Sequence, residues 1–334
     1  MLLTSPPRGG RPLRRASLVV TGLAVALVAC GDDPSSSSST SGKTVVVTYS
    51  VLGAVVADLV GDAATVTVLM PNGIDPHDYE PSAKDIAALN AADVVVANGL
   101  ELEETLESAL EEAERAGVSV FYAGDHTEVR AIGEGELPEE HEGEEAIEGE
   151  EAHAGEEAHA GEHGVGSDDP HLWMSPVVMA DVVTALGPVL AEAGIDVGDG
   201  AAEVAADMMT LDSDVAEVLS AVPADARKLV TGHESLGYFA DQYEFTLVGA
   251  VVPSLSSQAE ASAGEIAELK ELIEAEGVTV IFTEVGTPGD VVDAIADETG
   301  ATVVELATHN LPDDGSYRTF MLDLADAVAA ALSS

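Results

Sequence analysis

The chain of 334 residues contains one cysteine, Cys30, and it is poor in basic and aromatic side chains. A single thiol rules out an internal disulfide and a metal site built from several thiolates. Lysine and arginine together number 12 against 62 aspartates and glutamates, which gives a formal net charge of −50 at pH 7. Binding to nucleic acid is excluded, because phosphate contacts require basic side chains. Such an acidic chain attracts cations, and adaptation to a salty habitat explains the general acidity equally well.

The first 30 residues have the pattern of a signal peptide, with four arginines between residues 8 and 15 and an apolar stretch at 16–28. The apolar stretch is too short, and too close to the N-terminus, for a convincing membrane span. The sequence LVAC at 27–30 resembles a bacterial lipoprotein processing box. That resemblance implies that Cys30 is lipidated and anchors the protein to the membrane. A plain secretory peptide with an incidental cysteine is the alternative.

Residues 31–43 include the run DPSSSSSTSG, which is typical of a flexible tether. The roughly 290 residues that follow are enough for two ordinary domains. We divide them into an N-terminal α/β lobe at 44–198, a linking helix at 199–223 and a C-terminal α/β lobe at 224–334.

Strand and helix patterns alternate in both lobes. The β-branched runs TVVVTY at 44–49 and VTVIFT at 278–283 are typical of buried strands. Ser82 and Asp85 have the spacing of a capping box and predict the start of a helix. Further strands are predicted at 64–70, 93–97, 118–122, 228–231, 246–251 and 302–306, and further helices at 51–60, 100–116, 175–193, 201–222, 235–243, 265–276, 291–299 and 317–332. The alternation predicts two similar α/β lobes with parallel sheets, joined by one long rigid helix, with a single larger sheet as the alternative.

A low-complexity insert at about 132–168 interrupts the N-terminal lobe. More than a dozen carboxylates surround four histidines in this stretch, namely His141, His153, His159 and His163. The insert is too polar to bury enough apolar surface to offset the entropy of ordering, and we therefore expect it to be disordered. Imidazole and carboxylate groups bind divalent zinc, manganese, nickel and copper. The insert is therefore interpreted as an auxiliary, low-affinity collector of metal ions.

Four other histidines lie in loops near the predicted sheets. His77, His233 and His309 each follow a strand, and His171 lies between the insert and the next helix. Ligands of parallel α/β proteins bind at the carboxyl ends of strands, and three or four imidazoles suit the tetrahedral preference of zinc. One such histidine alone is more often a solvated loop residue, but their joint placement predicts a metal cleft between the lobes. His126 is interpreted as a surface residue.

Four motifs that contain or neighbour these residues occur in the order PHDYEPS, DPHLWMSP, TGHESLGYF and IFTEVGTP. In this order and spacing they resemble the metal-binding solute-binding lipoproteins of zinc and manganese ABC importers (high-affinity zinc-uptake type, cluster A-I). The resemblance extends from about residue 44 to residue 332. An acidic, histidine-rich loop just before DPHLWM is typical of the zinc-binding members.

The resemblance implies that four loops each contribute one metal ligand, at His77, His171, His233 and His309. The third position tends to be histidine in zinc binders and glutamate in manganese binders, so His233 favours zinc, with manganese as the alternative. His309 departs from the aspartate or glutamate that is usual at the fourth position.

Several acidic residues are therefore candidates near the cluster. Asp313 and Asp314 are possible substitutes for the fourth ligand. Glu284 is interpreted as an acceptor that orients a ligating imidazole, or as an alternative ligand. Asp75 and Glu80 flank His77 and are candidates for the same orienting role.

The implied function is that of a lipid-anchored, extracytoplasmic binding protein on the periplasmic side or the cell surface. It is expected to act as a monomer, to capture a divalent metal ion and to deliver it to an ABC permease and its ATPase. A zinc hydrolase with Glu284 or Glu80 as general base is an alternative, although the chain has no HExxH pair and no nucleophile motif. A third hypothesis is an adhesin-like surface lipoprotein in which the metal is only structural.

Overall fold

The computed structural model describes residues 42–132 and 166–333. The predicted signal peptide, the lipidation residue Cys30, nearly all of the tether and the four histidines of the insert lie outside the described residues. Within the described ranges, no helix has the combination of length and apolar character that crossing a membrane requires.

The N-terminal half is built around a four-stranded sheet in the order β2-β1-β3-β4. Its strands are β1 (Thr44–Tyr49), β2 (Thr65–Met70), β3 (Val94–Ala97) and β4 (Ser119–Tyr122). All three pairings are parallel. The two inner strands consist mostly of buried valines, as expected for strands that are covered on both faces.

The strands of the C-terminal half form two parallel pairs. They are β5 (Lys228–Thr231) with β6 (Thr246–Ala250), and β7 (Val280–Thr283) with β8 (Thr302–Glu305). Strands β5 and β7 contact each other. The described strands thus belong to separate sheets in the two halves, and the alternative of one larger sheet is wrong.

Nine α-helices in the described residues cover these sheets or connect them. They are α1 (Ser50–Val60), α2 (Ala83–Ala91), α3 (Glu107–Ala116), α4 (Pro176–Glu192), α5 (Gly200–Leu219), α6 (Gly237–Tyr243), α7 (Ala263–Glu276), α8 (Gly289–Thr299) and α9 (Tyr317–Leu332). The capping box at the start of α2 is confirmed, because the Asp85 carboxylate accepts hydrogen bonds from the amide and hydroxyl of Ser82.

Helix α5 is the long helix predicted between the lobes. It packs against α4 on one side and α9 on another, and it buries Met208, Leu211 and Val215 in the process. The C-terminal helix α9 therefore packs in the same apolar cluster as the N-terminal sheet. This arrangement leaves the loops at the carboxyl ends of β2, β5 and β8 to meet between the two halves.

Candidate metal centre

The structure brings the imidazoles of His77, His171 and His233 together. Nε2 of His171 lies 3.4 Å from Nε2 of His77 and 3.2 Å from Nε2 of His233. One potential ligand atom from each ring lies within 4.8 Å of the other two, and no other such group of three metal-ligating side chains occurs in residues 42–132 and 166–333. Three nitrogen lone pairs that converge on one point repel each other unless a cation or a proton lies between them. The cluster is therefore suited to a metal ion.

The three histidines reach the cluster from loops in both halves of the protein. His77 lies in a short 3₁₀ turn, Pro76–Asp78, that follows β2. The Asp75 carboxylate caps this turn by accepting a hydrogen bond of 3.0 Å from the His77 amide. His171 lies just before α4 and His233 just after β5. The sequence prediction that strand-end loops position His77 and His233 agrees with this placement, as does the prediction that His171 precedes a helix.

Asp169 holds the imidazole of His171. Its Oδ1 accepts hydrogen bonds from the His171 amide at 2.9 Å and lies 2.8 Å from Nδ1 of the same ring. Both side chains are completely buried. A carboxylate on Nδ1 fixes the tautomer whose Nε2 carries the lone pair, and this Nε2 is the atom that points into the cluster.

Glu284 occupies the corresponding position beside His233. Its Oε1 lies 2.9 Å from Nδ1 of His233. The carboxylate also accepts hydrogen bonds from the hydroxyl of Ser235 and, at 2.5 Å, from that of Thr308. Because both oxygens already have donors, the geometry favours the orienting role for Glu284 over direct ligation.

The surroundings shift the pKa values of the three histidines in different directions. Burial, followed by repulsion from neighbouring imidazoles, lowers the pKa of His77 and His171 well below the usual value. Burial also acts to lower the pKa of His233, but the Glu284 carboxylate outweighs it and the pKa is raised. His77 and His171 are therefore neutral near pH 7, while His233 is the imidazole that retains a proton to the highest pH.

The pKa values of the two carboxylates beside these imidazoles, Asp169 and Glu284, are also shifted in opposite directions. Burial raises the pKa of Asp169 to about 7, against the opposing effects of its hydrogen bond from the His171 amide and of Arg130. Burial acts in the same direction on Glu284, yet His233, His309 and the Thr308 hydroxyl together bring its pKa below the usual value. The difference arises because Glu284 faces more donors and imidazoles than Asp169 does.

His309, the fourth predicted ligand, lies beside the cluster but outside the group of three. Its ring stacks on that of His233, with centroids 6.0 Å apart, and it is 3% exposed. Nδ1 lies 3.0 Å from the Thr308 hydroxyl. Nε2 is buried without a hydrogen-bond partner among the described residues.

Trp173 is both a packing anchor and a wall of the site. It is fully buried, and its ring lies 5.3 Å from that of His171 and 5.5 Å from that of His309. The indole Nε1 donates a hydrogen bond of 2.9 Å to the carbonyl of Thr308. The side chain thereby ties the two halves together directly next to the histidines.

The remaining sequence candidates lie elsewhere. Asp313, Asp314 and Glu80 are exposed, and Asp314 accepts hydrogen bonds at the start of α9. His126 is also exposed, as predicted, and its ring stacks on Phe121 at 4.4 Å.

A cavity of about 580 Å³ adjoins the cluster. His77 and Leu255 contribute to its lining, and much of the remainder is acidic, with Glu101, Glu103, Glu104 and Glu107 among the residues. Carboxylates that line a cleft raise the local concentration of cations. The field at this side of His77 therefore favours the approach of a metal ion.

Sequence reasoning missed several residues that contact the histidines or the carboxylates beside them. They are Arg130, Asp169, Ser235, Ser257 and Thr308. Asp169 precedes His171 by two residues, a spacing that equally fits a simple loop cap. Ser257 donates a hydrogen bond of 2.6 Å to Asp75 from 182 residues away, and nothing in the sequence signals that pairing.

The two-lobed α/β fold is shared with periplasmic metal-binding proteins of known structure. The chain belongs to the ZnuA family, the zinc-uptake complex component A, periplasmic, which it matches over residues 45–331. The family resemblance of the four motifs and the fold class predicted from the alternation of strands and helices are thus confirmed. The protein is a metal-binding component of a zinc or manganese importer and not an enzyme, which contradicts the hydrolase alternative.

Individual relatives support the family assignment across nearly the whole chain. The high-affinity zinc uptake system protein ZnuA of Bacillus subtilis is 31% identical over 298 residues, covering 87% of this chain and 86% of that protein. The manganese-binding lipoprotein MntA of Halalkalibacterium halodurans is 24% identical over 314 residues, covering 92% and 93%. A crystal structure of ZnuA superimposes with a TM-score of 0.70 at 24% identity, covering 87% of this chain and 100% of that one. One relative is named for zinc and another for manganese, so these names leave the metal open.

Proposed function

We propose that the protein is a lipid-anchored, monomeric solute-binding protein that captures zinc and delivers it to an ABC permease driven by its ATPase. The observation that carries the proposal is the convergence of three Nε2 atoms from loops of both halves. A ligand held between two halves is released when the halves separate, which suits a protein that hands its cargo to a partner.

The proposed ligands are His77, His171, His233 and His309. The Nε2 atoms of the first three already lie close together, with that of His171 3.4 Å from His77 and 3.2 Å from His233. His309 is assigned as the fourth because its Nε2 is buried and lacks a hydrogen-bond partner among the described residues, and an unsatisfied buried nitrogen is costly unless something binds it. With His309 the site would offer four imidazole nitrogens, the number that a tetrahedral zinc site takes. Glu284 and Asp169 act by orienting ligands, and exposed Asp313 has no part.

Zinc is favoured over manganese by the donor atoms. Imidazole nitrogen suits zinc, whereas manganese prefers carboxylate, carbonyl and water oxygens. The nearest carboxylates, Asp75, Asp169 and Glu284, are each engaged by hydrogen-bond donors. Manganese binding would require one of them to leave its donors.

The remaining parts of the chain support capture at a membrane surface. Lipid attached to Cys30 anchors the protein, and the tether at 31–43 gives it reach. The histidines of the insert, His141, His153, His159 and His163, serve as a weak collector, and the acidic cavity beside His77 draws ions towards the cluster. The lobes are assigned to 44–198 and 224–334, with the link at 199–223.

Calorimetry with zinc tests this proposal. The variant with His77, His171 and His233 all changed to alanine is expected to lose the tight site, and a variant with His126, His141 and His153 changed to alanine is the matched control. The control should retain one tight zinc ion per chain with lower capacity for weakly bound zinc. Unchanged tight binding in the first variant would refute the proposal.

A further inference from the structure

Arg130 is the least exposed of the lysine and arginine side chains that form ion pairs in the described residues, with 9% of its side chain exposed. It lies three residues before the undescribed part of the insert. A buried guanidinium must be paired with acceptors to offset the loss of hydration. The partners of Arg130 therefore indicate what it does.

The guanidinium of Arg130 joins two carboxylates from different parts of the chain. Nη1 lies 3.4 Å from Oδ2 of Asp169, and Nε donates a hydrogen bond of 2.8 Å to Oδ2 of Asp241 in α6. The side chain of Asp169 is completely buried, whereas that of Asp241 is 66% exposed. Arg130 thus supplies a compensating positive charge to the buried inner carboxylate.

The main chains of the same residues are also held together. The Asp169 amide donates to the carbonyl of Arg130 at 2.7 Å. The amide of Arg130 donates to the hydroxyl of Tyr238, which in turn donates to the carbonyl of Asp169. Arg130 and Asp169 are therefore fixed relative to each other by backbone and side chain together.

Helix α6 leaves room for this ion pair only because Gly237 has no side chain. A Cβ at that position would lie 2.4 Å from Oδ2 of Asp169 and 2.5 Å from Nη1 of Arg130. Both distances are well below van der Waals contact, so any larger residue would displace the pair.

We propose that Arg130 is a positioning residue for metal binding, which holds Asp169 so that His171 presents Nε2 to His77 and His233. Asp169 uses Oδ2 for Arg130 and Oδ1 for Nδ1 of His171. Among the described residues, Arg130 is the donor that contacts Oδ2. Without it the carboxylate keeps only the bonds of Oδ1 to His171, and its orientation against the ring is less firmly fixed. The inference rests on the proposed function, since it takes His171 to be a ligand.

The test is a measurement of zinc affinity by competition with a chelator, made on the full chain. Arg130→Met is expected to weaken the tight site by about 10- to 100-fold, the usual effect of losing an orienting partner. Gly237→Ala, which moves the same pair by steric pressure, should weaken it in the same direction. Cobalt(II) bound at the tight site should show an altered visible absorption spectrum in both variants, because the spectrum reports ligand geometry.

Arg227→Met is the matched control. The Arg227 guanidinium is partly buried and donates to the carbonyls of Leu219, Val222 and Tyr243, none of which contributes to the histidine cluster. This variant should lose stability yet keep the zinc affinity and the cobalt spectrum of the unmodified protein. That outcome would separate positioning of His171 from a general loss of stability.

Two results would overturn the inference. One is an Arg130→Met protein with unchanged zinc affinity and cobalt spectrum. The other, which decides the matter if the Arg130→Met protein does not fold, is a folded Gly237→Ala protein with unchanged zinc affinity and an unchanged cobalt spectrum. Failure of the proposed function looks different, because His171→Ala would then bind zinc as tightly as the unmodified protein.

Discussion

The imidazoles of the cluster differ in how strongly they hold a proton, and a metal ion must displace that proton to bind. His77 and His171 have lowered pKa values, so they offer lone pairs at neutral pH without competition. His233 has a raised pKa because Glu284 stabilises its charged form more than burial destabilises it. Competition between protons and metal is therefore concentrated on His233.

This difference predicts the pH dependence of zinc affinity. The affinity should begin to fall as the pH drops through the raised pKa of His233, that is, from above the ordinary value of about 6.5. The groups that act on the pKa of His233 are Glu284, Asp75, Glu234, His77, His171 and His309.

Glu284→Gln removes the group that raises the pKa of His233 most, and it should therefore move the onset of the affinity loss to lower pH. Affinity measured by chelator competition between pH 5 and 8 checks this, with the exposed Glu298→Gln as control. Equal onset in all three proteins would contradict the prediction.

Trp173 gives a second prediction for a single residue. Trp173→Phe removes the hydrogen bond from Nε1 to the Thr308 carbonyl, and it leaves a small cavity beside His309. The loss should be about 1–3 kcal/mol in the free energy of unfolding, measured in urea without metal. Zinc affinity should also fall, because the loop that carries His309 is less firmly held.

Tyr317→Phe is the matched control for Trp173→Phe. It removes the hydrogen bond of 2.8 Å from the Tyr317 hydroxyl to the Trp173 carbonyl. Stability should decrease by about 1 kcal/mol, and zinc affinity should not change. A Trp173→Phe protein that loses stability but binds zinc normally would show that Trp173 is only a packing residue.

At the scale of elements, the ends of the insert are joined in the described structure. Ala131 and Asp168 form an isolated antiparallel bridge. The Ile132 amide donates to the carbonyl of Ser167, and the Gly166 amide donates to the carbonyl of Ile132. Because this bridge closes the base of the insert, removal of the residues between its ends should leave the base in place.

Deletion of residues 134–165 tests whether the tight zinc site is independent of the insert. The shortened protein should bind one zinc ion with the affinity of the full chain, while its total capacity, measured by equilibrium dialysis, should fall because four histidines are gone. A deletion that extends through Ser167 removes an acceptor of the bridge and should disturb His171. Loss of the tight site in the 134–165 deletion would contradict this division of roles.

Helices and strands with a strong local sequence pattern could be predicted. Element boundaries that depend on an unusual backbone conformation could not. The valine-rich strand β1 and the capped helix α2 formed as expected. Helix α3 begins at Glu107, not at residue 100, because Gly99, Leu100 and Glu101 all have positive φ. Leucine and glutamate rarely adopt this conformation. The apolar periodicity therefore did not predict the later start of α3.

The same limit applies to the site. His77, His171 and His233 could be predicted from the sequence because each lies in a recognisable motif, after a predicted strand for His77 and His233 and before a predicted helix for His171. Their supports were not, because the contacts of Arg130 with Asp241 and of Asp75 with Ser257 join residues more than 100 positions apart. Such pairs follow from the packing of the lobes and not from any local pattern.

At the scale of the whole molecule, the core does not depend on the metal site. One continuous apolar cluster includes Val45 of β1, Leu211 of α5 and Leu324 of α9, and a second cluster lies between the C-terminal strands and α7 and α8. Burial on this scale is the main source of stability in a domain. The protein is therefore expected to remain folded without metal, unlike a protein whose metal is structural.

Removal of metal tests that expectation. Protein treated with a chelator should keep its far-ultraviolet circular dichroism and a cooperative thermal transition. Added zinc should stabilise it by about 2.7 kcal/mol when free zinc is 100 times the dissociation constant, and the variant lacking His77, His171 and His233 should show no such gain. Unfolding on chelation would instead favour the hypothesis of a structural metal.

The most direct test of the central claim is zinc X-ray absorption spectroscopy on the 134–165 deletion protein loaded with one equivalent of zinc. Without the insert histidines, the spectrum reports the tight site alone. The expected spectrum shows three or four imidazole nitrogens at about 2.0–2.1 Å and no sulfur. A first shell made mainly of oxygen, without imidazole scattering, would contradict it.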